Sequence, residues 1–221
     1  PILRLGGNES GFHLSQSELE GIVTTGTVSF GGDMTALIVV DSVVSAPSAT
    51  TVSLVASKSA LSDVEFVGGA CLFESDVVVS SRNDVVVSTA LNLTGGLELT
   101  ADSDCDGTGD LVVTADGSLD SVYDLAVRSA GVSWSGSLDA AVDSMTFGVC
   151  PGVSMGLGGV SEEGSQTFRL TQEELDSMST TAELIFESTS GAITVYDLTY
   201  GANGIVLNAS TSGSVSLVGS V

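Results

Sequence analysis

Residues 12–19 read FHLSQSEL and residues 168–175 read FRLTQEEL, so the same eight-residue pattern occurs twice in one chain. Leu5-Gly6-Gly7 precedes the first copy, and Leu157-Gly158-Gly159 precedes the second. Matched residues are 152 positions apart in the glycine motif and 156 positions apart after it. A match that recurs at a nearly constant distance indicates a long internal repeat, which decides the architecture before any local pattern does.

The match continues on the carboxyl side of these two stretches. Residues 36–41 match residues 192–197 at a spacing of 156, residues 54–57 match 207–210 at 153, and residues 64–68 match 215–219 at 151. We therefore divide the chain into a first repeat unit, residues 1–151, and the start of a second copy of the same unit, residues 152–221. A unit interrupted partway predicts further copies in the parent protein, and a terminal cap with its own ending is the alternative.

Inside the unit, short apolar stretches alternate with polar residues in steps of two, which is typical of β-strands. Glycine, asparagine and aspartate turns separate them at intervals of about 8 to 14 residues. Valine-rich, aromatic-poor strands suit a narrow stacked core, so the sequence predicts an all-β parallel β-helix, a β-solenoid with rungs of about 20 to 25 residues. Tandem β-sandwich repeats are the alternative.

Two helical signals interrupt this pattern. Ser15 and Glu18 in the first copy, and Thr171 and Glu174 in the second, have the spacing of a capping box, in which a hydroxyl and a carboxylate satisfy free N–H groups at a helix start. Each predicts one or two helical turns at a structural corner of the unit.

The composition restricts the location and the partners. With 28 acidic and 5 basic residues the net charge is −23, which repels phosphate backbones and makes nucleic acid an unexpected partner. The longest aliphatic stretch, residues 36–40, is far shorter than the ~20 residues of a membrane span.

No signal peptide is visible, so we expect a mature product or a fragment. Low lysine with abundant serine, threonine and glycine fits a secreted protein, outside the cell or on its surface.

The Leu-Gly-Gly motif, the Leu-Ser/Thr-Gln-x-Glu-Leu motif and the strand series that follows them resemble the long β-strand repeats of large microbial and algal surface proteins. They are broadly similar to adhesins of the filamentous haemagglutinin type. This resemblance covers most of the chain and implies a secreted β-helical stalk with no catalytic residues.

The sharpest local motif is the run from Asp102 to Asp110, in which Asp102, Asp104, Asp106 and Asp110 alternate with small residues around Gly107. Carboxylates at alternate positions before a glycine can wrap Ca²⁺, which takes six to eight oxygen ligands. Position 12 of an EF-hand loop would be Val113, so no bidentate glutamate closes the site. The motif predicts a possible calcium site, and a polar turn between two strands is the alternative.

Three cysteines and three glycosylation sequons are the candidate sites of covalent modification. Cys71, Cys105 and Cys150 have no metal-binding spacing, so a disulfide between two of them or a buried role remains open, and the sequence does not assign the pairing. Sequons at Asn8, Asn92 and Asn208 allow glycosylation in a eukaryotic source.

Catalysis has little support. His13 is the only histidine and is replaced by Arg169 in the second copy, which argues against a general base. Parallel β-helix polysaccharide lyases are the enzyme alternative, but the acidic surface would repel their polyanionic substrates. Trp134 is expected to be a packing anchor, with an exposed sugar-stacking ring as the alternative.

Two functions remain for this non-enzymatic chain. The first is a structural repeat of an extracellular fibre, stalk or coat protein, in which identical copies stack end to end into a filament. The second is an adhesin module that binds a carbohydrate or another cell-surface ligand along its flank.

Overall fold

The structure is a computed structural model, and it describes residues 1–7, 12–44, 46–121, 123–140, 144–159, 168–181, 183–199, 204–210 and 212–218. These residues form a β-solenoid of about seven turns, and every pairing between their strands is parallel. The predicted parallel β-helix is therefore confirmed, and the tandem-sandwich alternative is wrong.

The described residues contain 24 strands and two short helices. Those of the first unit are β1 (Ile2–Gly6), β2 (His13–Leu14), α1 (Gln16–Glu20), β3 (Thr27–Gly32), β4 (Leu37–Asp41), β5 (Thr51–Ala56), β6 (Asp63–Val67), β7 (Cys71–Phe73), β8 (Asp76–Ser81), β9 (Val85–Val87), β10 (Ala90–Leu93), β11 (Leu97–Thr100), β12 (Asp110–Val113), β13 (Ser118–Ser121), β14 (Leu125–Arg128), β15 (Gly131–Trp134), β16 (Ser137–Ala140) and β17 (Met145–Val149). Those of the second copy are β18 (Met155–Gly158), β19 (Phe168–Leu170), α2 (Gln172–Asp176), β20 (Met178–Thr180), β21 (Leu184–Ser188), β22 (Ala192–Tyr196), β23 (Ile205–Ala209) and β24 (Ser214–Val218).

The strands are arranged on three faces. Face A contains β2, β1, β4, β6, β9, β12 and β15 in spatial order, and the sheet of β19, β18, β22 and β24 continues it because β19 lies beside β15. Face B runs from β7 through β10, β13 and β16 to β20. Face C runs from β3 to β23. Each central turn of the chain visits faces A, B and C in that order.

Alternate residues of each strand face inwards and stack in columns from one coil to the next. On face C, Val52 pairs with Val77, Val77 with Leu97, and Leu97 with Leu125, and all four side chains are buried. Successive rungs therefore keep the two-residue alternation that the sequence shows. Burial of each such side chain contributes roughly 1.5–3 kcal/mol.

Aspartates at two corners join successive coils. At the corner before face A, Asp63 Oδ1 accepts the backbone N–H of Asp84 at 3.1 Å, and Asp84 Oδ1 accepts that of Asp110 at 2.8 Å. Asp110 in turn accepts the N–H of Gly131. At the corner before face C, Asp76 Oδ1 accepts the N–H of Gly96 at 2.9 Å. Part of the acidic surface thus satisfies backbone donors where the ladders of the sheets end.

The two copies of the repeat place their strands in equivalent registers, with one correction to the sequence match. Leu5 pairs with Val40 in the first copy, and Leu157 pairs with Val195 in the second. Val195 therefore corresponds to Val40 at a spacing of 155, so the match of residues 36–41 with 192–197 is wrong by one residue.

The physical reason is the alternation of side chains along a strand. Ile193 and Val195 are buried like Ile38 and Val40, whereas a slip of one residue would turn Thr194 into the core. The turn before β4 has four residues, 33–36, and the turn before β22 has three, 189–191, which accounts for the shift. The division of the chain at residue 151 stays a prediction.

Both predicted helices are present, each with a capping box. Glu18 Oε2 accepts the Ser15 backbone N–H at 2.9 Å, and Glu174 Oε2 accepts that of Thr171 at 2.8 Å. Leu19 and Leu175 anchor the two helices in the core. The glutamine that begins each helix also binds the following coil. In α2, Gln172 Oε1 accepts the backbone N–H of Thr199 at 3.0 Å. The helices are thus structural corners, as expected.

Acidification from pH 7 is expected to stabilise the fold. Burial, followed by the neighbouring charge of Asp84, raises the pKa of Asp110, and burial likewise raises the pKa of Glu65 and Asp102. A raised pKa means that folding favours the protonated form, so the stabilisation is complete below the ordinary pKa near 4 and is lost as the pH rises through the folded value. The melting temperature should therefore increase as the pH falls from 7 towards the ordinary carboxyl pKa near 4.

Circular dichroism melts of two variants test this assignment. Asp110→Asn cannot ionise yet can still accept the Gly131 N–H, so it should melt higher than the parent at pH 7 and gain less on acidification. Asp116→Asn removes a charge at an exposed turn and is the matched control. Equal pH dependence in both variants would contradict the role given to Asp110.

Candidate functional site

The principal candidate site is the contact between the two copies of the repeat. Strands β15, β16 and β17 form the last coil before residue 151, and β19, β20 and β21 follow it on the same three faces. Strand β17 pairs in register with β21 from Met145 and Leu184 onwards, and β16 pairs with β20. We call this contact the unit junction.

Three aromatic rings form the core of the unit junction. Phe147 stacks on Phe186 with ring centroids 5.6 Å apart and meets the edge of Phe168 at 6.4 Å. All three side chains are fully buried. Such aromatic pairs contribute about 0.5–1.5 kcal/mol each beyond the area that they bury.

Glu174 connects the helix α2 to the preceding coil. While its Oε2 atom completes the capping box, its Oε1 atom accepts the backbone N–H of Trp134 at 3.1 Å. The indole of Trp134 is only 5% exposed, and its Nε1 atom donates to the carbonyl oxygen of Gly136 at 3.0 Å. Trp134 is therefore a packing anchor, and the sugar-stacking alternative is wrong.

The sequence did not reveal the pairing partners at this junction. The repeat match predicts that Phe168 and Phe186 are equivalent to Phe12 and Phe30, but Phe147 lies in a part of the unit that occurs once in the chain. The sequence also did not reveal that Glu174 binds the backbone N–H of Trp134. A capping box requires only one carboxylate oxygen, so its pattern says nothing about what the other oxygen binds.

The acidic loop between β11 and β12 brings together three of the four predicted calcium ligands. Carboxylate oxygens of Asp102, Asp104 and Asp106 lie within 4.8 Å of one another. Asp110 is not part of this group, because it lies in the corner ladder beside Asp84. Calcium binding stays a prediction, and the structure restricts the candidate carboxylates to three.

Hydrogen bonds within the loop already occupy some of these oxygens. Asp102 is fully buried, and its Oδ1 atom accepts the N–H of Asp106 at 2.9 Å. Asp106 Oδ1 accepts the N–H of Thr108 at 2.9 Å, and Arg82 Nε lies 3.7 Å from Asp104 Oδ2. Asp106 is exposed, and its bonds to Thr108 lower its pKa. A cation would therefore compete with Arg82 and with backbone donors for this site.

A disulfide ties this loop to the unit junction. Cys105 in the loop is bonded to Cys150, which directly follows β17, while Cys71 is a buried free thiol. Cys105 has a positive φ of 56°, a conformation that is uncommon for residues other than glycine. Burial raises the pKa of the Cys71 thiol, which keeps it protonated and unreactive.

The remaining candidate residues are separate from the junction. Asn92 is half-buried in β10, Asn208 is exposed in β23, and Asn8 lies outside the described residues. His13 is exposed at the end of the solenoid. Its counterpart Arg169 is stacked over the Tyr196 ring at 5.1 Å.

Comparison with known protein families, curated proteins and solved structures finds no match to the chain. In the part of the chain that the structure describes, no helix has the length and apolar character needed to cross a membrane.

Removal of the disulfide should destabilise the chain. Its cysteines are 45 residues apart, and closure of a loop of that length restricts the unfolded state by roughly 4 kcal/mol in the chain-entropy treatment. Alkylation of the denatured protein should label only Cys71 before reduction and all three cysteines afterwards. The double variant Cys105→Ala, Cys150→Ala should unfold at lower denaturant concentration, and labelling of three thiols without reduction would refute the pairing.

Calcium binding is tested by thermal melting with and without millimolar Ca²⁺. If Asp102, Asp104 and Asp106 share an ion, Ca²⁺ should raise the melting temperature, because a ligand that binds only the folded state stabilises it. Asp104→Asn should remove the shift, whereas Asp120→Asn, an exposed carboxylate on face B, should leave it unchanged. No shift in the parent chain would remove the calcium prediction.

Proposed function

We propose that this chain is a non-enzymatic structural repeat of an extracellular fibre, stalk or coat protein, in which identical copies stack end to end into a filament. The observation that carries the proposal is the unit junction. There, one copy follows another through parallel pairing in register, as between β17 and β21, and with a buried aromatic core. A solenoid with such a junction can be lengthened by whole units without a change of fold.

Strand β24 shows which inward side chain a further coil would cover. Leu217 in β24 is 62% exposed, whereas Phe66, its counterpart in the first copy, is completely buried beneath the next coil. The net charge of −23 would repel neighbouring filaments from one another along their flanks.

The disulfide supports a location outside the cell. Disulfides persist in oxidising compartments and are rare in the reducing cytosol. Cys105–Cys150 links two coils and leaves only the buried Cys71 as a thiol. An extracellular or cell-surface protein fits this arrangement.

Sedimentation velocity and negative-stain electron microscopy over a range of protein concentrations test the proposal. We expect rods of constant width whose length increases in whole chains, at about 4.8 Å per turn of the solenoid. Added salt should promote their formation, because it screens the repulsion between acidic surfaces.

Two variants of the last coil separate end-to-end stacking from non-specific association. Leu217→Lys places a charge at an uncovered inward position and should abolish rod formation. Val206→Lys places the same charge at an outward position of β23 and should leave it intact. Compact single chains at every concentration and salt level would refute the filament.

A further inference from the structure

A groove crosses the outer surface of face C where β8, β11 and β14 begin. Its volume is about 360 Å³, and it is bordered by residues of these strands and of the turns before them. Gly96 lies between Asp76 of the preceding coil and Asp124 of the following coil. A Cβ atom at Gly96 would lie 3.7 Å from Asp76 Oδ1 and 3.5 Å from the carbonyl oxygen of Asp124. The lack of a side chain at Gly96 therefore leaves a notch between two aspartates.

Both aspartates are held in place by the coil that follows them. Asp76 Oδ1 accepts the backbone N–H of Gly96 at 2.9 Å, and Asp124 Oδ1 accepts that of Ser144 at 3.1 Å. Each side chain thus leans by one coil in the same direction, so the two carboxylates remain two steps of about 4.8 Å apart. Among the described residues, no hydrogen bond occupies the second oxygen, Oδ2, of either aspartate.

The lining of the groove adds further negative charge and apolar surface. Glu98 is exposed and projects outwards from β11 between Val78 and Ala126, which are both half-buried. Tyr123, which is 51% exposed, borders the groove at the corner before β14. None of the described residues in this lining is basic, and Arg128 lies beyond it at the end of β14.

This combination favours an organic cation. Carboxylates bind ammonium groups, the face of an aromatic ring attracts a cation, and valine and alanine side chains pack against methylene groups. A bare metal ion fits less well, because the described residues hold only one group of three acids with oxygens within 4.8 Å of one another, and that group is in the loop of Asp102. The net charge of −23 attracts every cation, so selectivity has to come from the spacing within the groove.

We propose that the groove binds a linear diammonium ion, with one ammonium group at Asp76 and the other at Asp124. One ammonium group alone does not reach both carboxylates, because its hydrogen bonds to them are only about 2.8 Å long. The carbon chain crosses the notch at Gly96 and packs against the ring of Tyr123. The site lies in the middle of the solenoid and does not rest on the proposed function.

Two sources can supply this chemistry. One is a free diamine, and the other is a pair of neighbouring lysine side chains on another protein. A second copy of this chain is not the source, because its only lysine is Lys58.

Titrations followed by amide NMR shifts at low ionic strength test the proposal. The reporters are the N–H groups of Gly96 and Ser144, which the two aspartates bind. Cadaverine should shift both signals. Pentylamine, which has one ammonium group, should bind roughly two- to fivefold more weakly. Pentanediol, which has none, should leave both signals unchanged.

A pair of glycine variants tests the notch without any change of charge. Gly96→Val fills the notch and should abolish the cadaverine-dependent shift of Ser144. Gly148→Val adds the same side chain at an outward position of β17, where only the carbonyl oxygen of Val127 lies within 4 Å, and should leave the shift intact.

A pair of double variants tests the two carboxylates against the overall charge. Asp76→Asn with Asp124→Asn keeps an oxygen acceptor for each backbone N–H and should weaken cadaverine binding on the order of tenfold. Asp33→Asn with Asp116→Asn removes the same charge from exposed positions outside the groove and should leave the affinity unchanged.

The tyrosine is tested separately. Tyr123→Ala should weaken cadaverine binding roughly two- to fivefold, because an exposed ring over a cation contributes that much, whereas Tyr123→Phe keeps the ring and should bind normally.

Several results would overturn the proposal. These are equal losses in the two double variants, an unchanged affinity in a folded Gly96→Val chain, shifts spread evenly over the exposed acids, and binding of pentanediol as tight as that of cadaverine, which would indicate a neutral hydroxyl ligand such as a sugar.

A dilysine peptide distinguishes the two sources. Tighter binding of the peptide than of cadaverine would assign the groove to lysine side chains of a protein, and the reverse order would assign it to a free diamine. No shift with either ligand would refute the site, and the filament would still stand, because none of the residues that line the groove belongs to the unit junction.

Discussion

Parallel backbone pairing between successive coils is the constraint on which this structure depends. Each strand binds the strand one turn before it and the strand one turn after it, so side chains of the same position stack in columns. The column from Val52 through Val77 and Leu97 to Leu125 shows the result, because a shift of one residue in any coil would turn its apolar side chains outwards.

The high negative charge is compatible with this architecture because several of the acids lie at corners, where they accept backbone hydrogen bonds. Asp63, Asp84 and Asp110 accept backbone N–H groups of the following coil, so they replace ladder bonds that end where the chain turns. Burial, followed by the neighbouring charge of Asp84, raises the pKa of Asp110, so this arrangement has an electrostatic cost. The corners thus combine a structural role with a surface that repels other polyanions.

The unit junction shows how one repeat continues into the next. Glu174 serves its own helix with one oxygen and the preceding coil with the other, while Phe147 fills the space between two aromatic rings of the following copy. The disulfide ends at Cys150, directly after the strand that carries Phe147, and ties this last coil to the loop of Cys105. Tight packing and covalent linkage therefore coincide where one unit meets the next.

The sequence by itself predicted the short strands, the two helical corners and the repeat, because strand alternation, capping boxes and self-similarity are all local or periodic signals. It favoured the solenoid but left tandem β-sandwiches open, and the parallel pairing of the strands decided between them. The sequence also limited the metal candidates to one acidic loop. Only the tertiary structure decided that Cys105 pairs with Cys150, that Asp110 lies apart from Asp102, and that Val195 rather than Tyr196 corresponds to Val40. These facts depend on which coils lie next to one another and in which register, and a one-residue difference in a turn changes the register without leaving a signal in the strands themselves.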